Sequence, residues 1–209
     1  MTSFGPKHFS RTRQGGKDIY QIQQKKISGI KYQENLPHRT LLVSPFDMNL
    51  LYFAPSARRE YIDSILMRAY PSFGKVRREY TEAMRQRNSL LKKVREGEAS
   101  RNDLNYWDTC FAEKAFLYHQ YRKKWYQFVM EELAHIRTLL PEYEITFQYE
   151  SVIATENLET SDIMTYLSEK RERDILTGHT HIGPHLDDFS FWIHTPESDR
   201  IESAFYLSR

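Results

Sequence analysis

From Pro55 onward the apolar residues recur with a helical period. Tyr61, Ile65, Leu66 and Ala69 follow the Pro55-Ser56 start signal until Tyr70-Pro71 stops the pattern, which predicts a helix over about 55–70. Val76, Tyr80, Met84, Leu91 and Val94 share one face of a second helix, from about Lys75 to Arg95, closed by Gly97 and Ser100. Leu104, Trp107, Phe111, Ala115, Tyr118, Trp125, Phe128, Leu133, Ile136 and Leu140 keep the same period as far as Pro141. At ~1.5 Å per residue they predict a rod of roughly 55 Å. Ahead of Pro55 the period is two. Gly15-Gly16 is a turn, Ile19-Tyr20-Gln21-Ile22 alternates, Gly29 interrupts the next extended piece, and Thr40-Leu41-Leu42-Val43 reads as a buried strand stopped by Ser44-Pro45. Strands return at Glu144–Ser151 and Phe189–His194, with a short helix near Ser161–Arg173. This order predicts an α+β fold in which a helical lobe with two long antiparallel helices is inserted into a mixed β-sheet. The expected division is a β-rich segment 1–54, a helical lobe 55–141, and a strand-containing return segment 142–209.

Composition narrows the class. The chain has 209 residues, 40% hydrophobic and 28% charged, with 3 Trp, 14 Tyr and 12 Phe, which suits a globular body and not a disordered one. Its single cysteine, Cys110, excludes an internal disulfide and fits a reducing, cytoplasmic setting. No apolar run reaches the roughly 18 residues of a membrane span, and no apolar stretch behind Met1–Arg13 makes a secretory signal. The net charge of +2 conceals an asymmetry. Residues 56–95 carry 11 Lys/Arg against 4 Asp/Glu, whereas 142–209 carry 5 against 14. A basic front and an acidic back suit a surface that meets a polyanion.

Four features invite chemistry. His179, His181, His185 and Asp187, with Asp188 beside them, have side chains that suit zinc or iron, so a metal-dependent hydrolase is one reading. The competing reading is a turn at Gly183-Pro184 leading into a strand. Glu132-Leu-Ala-His135 is a single Glu-x-x-His on a helix, where a di-iron site needs two. Gly15-Gly16-Lys17 lacks the earlier glycine and the Ser/Thr hydroxyl of a phosphate-binding loop, so it reads as a turn. On the second helix Arg78, Arg85 and Lys92 recur every seven residues with Lys75 nearby, a stripe that can follow a phosphate backbone. Arg87 falls on the apolar side, so with Asn88 it is expected to be paired and structural. A helical protein-interaction module, using the aromatic third helix, is a further alternative.

Four segments, in order, resemble the RecF family, ATPase heads of the ABC class related to SMC proteins. Val43-Ser44-Pro45-Phe46-Asp47 is similar to the family's Phe-Ser-Pro-x-Asp. Pro55-Ser56-Ala57-Arg58-Arg59-Glu60-Tyr61-Ile62-Asp63 resembles its Pro-x-x-Arg-Arg-x-x-x-Asp helix start. Gln86-Arg87-Asn88-Ser89-Leu90-Leu91-Lys92 resembles Gln-Arg-Asn-x-Leu-Leu-Lys, and Gly183-Pro184-His185-Leu186-Asp187-Asp188 resembles Gly-Pro-His-x-Asp-Asp. The resemblance implies a partial ABC-ATPase head acting in DNA repair and recombination. ATP and Mg would belong to the full-length protein, and neither is expected on this chain alone, which lacks Walker A and Walker B. It implies DNA, single-stranded or gapped duplex, as partner, together with homodimerisation and recombination mediator proteins. Ser208 and Arg209 look like the start of the signature motif that contacts nucleotide in trans. Arg58, Arg59, Lys75, Arg78, Arg85 and Lys92 are the expected DNA contacts, and no role is assigned to Asp47, His185, Asp187 or Asp188. With only 8 glycines in the chain, a fragment or a reading frame recoded at glycine codons is the expectation.

Overall fold

The computed structural model describes residues 8–35, 54–153, 157–194 and 201–203. The expected strand Thr40–Val43, and also Asp47, Ser208 and Arg209, lie outside them. The chain forms two compact units, Met1–Ser44 and Pro45–Arg209.

In the first unit β1 (Phe9–Gln14), β2 (Lys17–Ile22) and β3 (Lys25–Ile27) make an antiparallel meander. Gly15 and Gly16 form the two-residue turn between Gln14 and Lys17, with φ of +57° and +77°, the mirror-image geometry that matches strand twist. Beyond β3 the chain turns helical where an extended piece was expected. Gly29 opens α1 (Gly29–Asn35), because the Ser28 hydroxyl caps the Lys31 backbone N–H at 3.2 Å.

The second unit holds α2 (Pro55–Ala69), α3 (Phe73–Arg95), α4 (Leu104–Leu139), β4 (Glu144–Glu150), α5 (Thr160–Thr177), β5 (Asp188–His194) and β6 (Ile201–Ser203). The α+β class holds, and every strand pairing among the described residues is antiparallel, in two separate three-stranded sheets where one mixed sheet was expected. The helix bounds follow the apolar period closely. α5 runs one turn past its expected end because Gly178, in a left-handed conformation (φ 73°), caps it. α3 and α4 lie antiparallel, joined by a turn that Ser100 and Asp103 cap reciprocally. Their seam is aromatic: Tyr80 packs on Phe111 and Tyr118, and Phe73 on Tyr118 and Tyr121. Further along α4, Trp125 covers Phe147 of β4 and Phe189 of β5, so helices and sheet share one core.

Candidate nucleic-acid interface

α3 sorts its cations by face. Lys75, Arg78, Arg85 and Lys92 are exposed, while Arg87 is fully buried. Lys75 lies 3.7 Å from Glu79, and Arg85 is held by both oxygens of Glu82 at 2.7 and 3.0 Å. Hydrogen bonds from Arg85 and Gln86 pull the Glu82 carboxyl down to about 2. Arg78 and Lys92 make no ion pair among the described residues. The row can therefore offer two free cations and two loosely compensated ones to an anion, since exposed pairs of this kind are screened by solvent and contribute little.

Arg87 fixes the inner face. Its Nε donates to Asp108 at 2.7 Å and its Nη1 to Asp174 at 2.7 Å and to the Thr180 hydroxyl at 2.8 Å. That hydroxyl in turn donates to Asn88 Oδ1 at 2.7 Å, and Asn88 also accepts the Thr180 backbone N–H. Arg171 closes on the second oxygen of Asp108, and His181 Nδ1 sits 2.7 Å from Asp174. Two guanidinium groups and two carboxylates thus tie α3, α4 and α5 together, with Arg87 and Asn88 at the centre. Asp108 and Asp174 escaped the sequence reading, although each is an acid in the apolar phase of its helix.

A second network anchors α2. Arg122 donates to Asp63 at 2.6 Å, Tyr118 donates to the other Asp63 oxygen at 2.5 Å, and Arg77 lies 3.2 Å from it. Arg122 too stands in the apolar phase of α4, four residues after Tyr118, which is the signal that locates it.

Arg58 and Arg59 point inward. Arg58 grips Asp188 through Nε at 2.7 Å and Nη2 at 2.5 Å, and Arg59 donates to the Asp187 carbonyl at 3.0 Å. Two motifs 130 residues apart are thereby docked on each other, and these two arginines, expected on the DNA face, form a clasp. Asp187 is buried and accepts from the Tyr149 hydroxyl; burial raises its carboxyl above the ordinary value.

The histidines do not converge. His179 is exposed, His181 serves Asp174, and His185 is bound on both ring nitrogens: Nδ1 is 2.5 Å from the Tyr80 hydroxyl and Nε2 3.1 Å from the Thr180 carbonyl. A carbonyl only accepts, so Nε2 carries the proton and Nδ1 accepts from Tyr80. Burial pushes the His185 imidazolium below its usual range. No group of three His, Cys, Asp or Glu among the described residues is placed to hold a metal ion, which removes the support for the metal-hydrolase reading. The expected alternation of His179 and His181 needed a strand, and the segment is a bend followed by a 3-10 turn, Pro184–Leu186.

The Gly15-Gly16 pair is a hairpin turn, with Lys17 opening β2. No helix among the described residues is long and apolar enough to cross a membrane.

No established protein-family profile matches the chain. Curated relatives do. The DNA replication and repair protein RecF of Acidothermus cellulolyticus is 29% identical over 163 residues, 73% of this chain and 44% of that protein. The RecF of Heliobacterium modesticaldum is 31% identical over 166 residues, 74% of this chain and 43% of that protein. The RecF of Ruminiclostridium cellulolyticum is 28% identical over 206 residues, 89% of this chain and 55% of that protein. The chain therefore spans about half the length of the curated relatives it matches. Among solved structures, that of the recombination mediator protein RecF–ATP in the RecFOR pathway shares this fold over 85% of this chain and 49% of its own, with a TM-score of 0.73 and 20% identity.

Proposed function

The chain belongs to the RecF family of DNA replication and repair proteins, and we propose that it supplies part of such a protein's DNA-holding surface through the exposed face of α3. The observation that carries this reading is the sorting of cations on that helix, with Lys75, Arg78, Arg85 and Lys92 outside and Arg87 anchored inside. Because Arg87 pins α3 to α4 and α5, the outer cations are carried on a rigid element. Arg78, Arg85 and Lys92 then stand roughly 10 Å apart along the axis, seven residues at ~1.5 Å each. Such a row meets phosphates and reads no base edges, so single-stranded and gapped duplex DNA would bind without sequence preference. Phosphate displaces Glu79 and Glu82, whose exposed pairs with Lys75 and Arg85 cost little to break.

Arg58 and Arg59 are reassigned from this surface to the clasp on Asp187 and Asp188, whose role is to hold the start of α2 against the start of β5. Residues 55–141 are proposed as the helical lobe, flanked by 1–54 and 142–209. In a complete RecF protein, ATP with Mg would bring two copies together, Ser208 and Arg209 opening the segment that reaches the partner's nucleotide. Recombination mediator proteins would meet that dimer on DNA. No catalytic step is assigned to the described residues.

The test is binding of the full chain to a fluorescein-labelled gapped duplex. The K75Q/R78Q/R85Q/K92Q variant is expected to bind at least ten-fold more weakly with unchanged circular dichroism. Equal binding by the variant rejects this surface.

A further inference from the structure

The last three turns of α4 contribute little to the core. Between residues 128 and 139 only Leu133 is fully buried, while Phe128 is 57% and Leu139 66% exposed. Ile136 shares their side of the helix and is exposed as well, and Leu140 and Tyr143, past the helix end, are also exposed. Isolated exposed aliphatics are ordinary, but a run along one helix face marks an interaction site. The charges along residues 128–144 are mostly acidic, and the exposed Lys124, one turn before Phe128, lies over the Tyr70 and Tyr121 rings. Glu131 and Glu132 stand exposed between Phe128 and Ile136, and Glu142 and Glu144 follow. Arg137, the one Lys or Arg in residues 128–144, keeps its charge but donates Nε and Nη2 to the Ile145 carbonyl at 2.9 and 2.6 Å, on the side of the helix opposite Phe128. The strip is also separate from the α3 row, since α3 begins beside Tyr121, where Ser72 and Tyr121 hydroxyls meet at 2.8 Å, about two turns before Phe128.

We propose that this end of α4 is a docking strip for a basic amphipathic helix of a partner protein. The partner's apolar side seats on Phe128, Ile136 and Leu139, and its Lys or Arg side chains meet Glu131 and Glu132. The charge selects the occupant. DNA is repelled by the same carboxylates, and a second copy of the strip would bring four glutamates together across the contact. The chain would then present two surfaces of opposite character, a basic one for nucleic acid on α3 and an acidic, apolar one for protein on α4.

The test uses the full chain and two labelled 18-residue helical probes, one of Leu and Lys, one of Leu and Glu, read by fluorescence anisotropy. The Leu/Lys probe is expected to bind and the Leu/Glu probe not to. Binding should weaken at least ten-fold in F128S/L139S, and should weaken and lose salt dependence in E131Q/E132Q. All four positions are exposed, so circular dichroism should not change. No binding of the Leu/Lys probe, equal binding of both probes, or affinity unchanged in both variants overturns the proposal. So does a concentration-dependent dimer that F128S/L139S dissolves, which would make a second copy the occupant. DNA binding by F128S/L139S should equal that of the parent, so failure here is distinguishable from failure of the α3 surface.

Discussion

Replacing Arg87 by methionine probes the polar core of the helical lobe. Methionine keeps most of the volume and the packing on Phe111, over whose ring the guanidinium lies at 5.9 Å. It removes the bonds to Asp108, Asp174 and Thr180. Those carboxylates are 1% and 0% exposed, so water cannot take the place of the lost donor. Each keeps one partner at the edge, Arg171 for Asp108 and His181 for Asp174, which limits the damage. Breaking one side of a buried pair typically costs about 3–5 kcal/mol. A domain of this kind has ~5–15 kcal/mol in total, so R87M should lose much of its stability. With a slope near ~2 kcal/mol/M, a cost of about 4 kcal/mol lowers the urea midpoint by about 2 M. Adding D174N to R87M removes one stranded charge while leaving an acceptor for the His181 backbone N–H, and should recover about 1–2 kcal/mol. The readout is urea unfolding followed by circular dichroism. A loss under about 1 kcal/mol for R87M, or a D174N effect that is the same with and without Arg87, would refute the network as a stabilising unit.

Two further outcomes follow from the Gly183–Asp188 segment. His185 is held neutral by burial, its folded value lying below the unfolded one, so its contribution is present above about pH 6.5 and is lost as pH falls through that region. Buried His119 acts in the same direction, and Asp187, raised by burial, acts oppositely toward lower pH. H185Q should therefore lose less stability than the parent between pH 7.5 and 5.5; parallel curves contradict this. Gly183 has φ +123°, and a Cβ there would stand 2.7 Å from the Tyr80 hydroxyl and 3.0 Å from Phe111. G183A should cost about 2–4 kcal/mol from backbone strain and overpacking, in part recovered by adding Y80F; a neutral G183A in urea unfolding sinks the claim.

What the sequence reveals here depends on how far each signal reaches along the chain. α2, α3 and α4 are legible because burial imposes a 3.6-residue period, and even the inward turn of Arg87 can be read from its phase. Its partners cannot: Asp108 and Asp174 lie 21 and 87 residues away, and which acid meets which guanidinium is settled by how α3, α4 and α5 pack. Arg58 and Arg59 looked like surface cations for the same reason, their partners, the Asp188 carboxylate and the Asp187 carbonyl, being about 130 residues downstream. The histidine cluster misleads in the other direction. Neighbours in sequence are carried apart by a bend and a 3-10 turn, each ring finding its own partner. α1 was missed because Gly29 read as a break, while the cap at Ser28 is a one-residue signal.

The role of α3 is tested most directly by the salt dependence of DNA binding. Each phosphate contact contributes roughly 0.9 to the slope of log affinity against log salt on duplex DNA. Plotting that slope for the parent chain and for K75Q/R78Q/R85Q/K92Q on one gapped duplex should give two lines whose slopes differ by about 3–4. Parallel lines would show that the phosphates lie against some other part of the molecule.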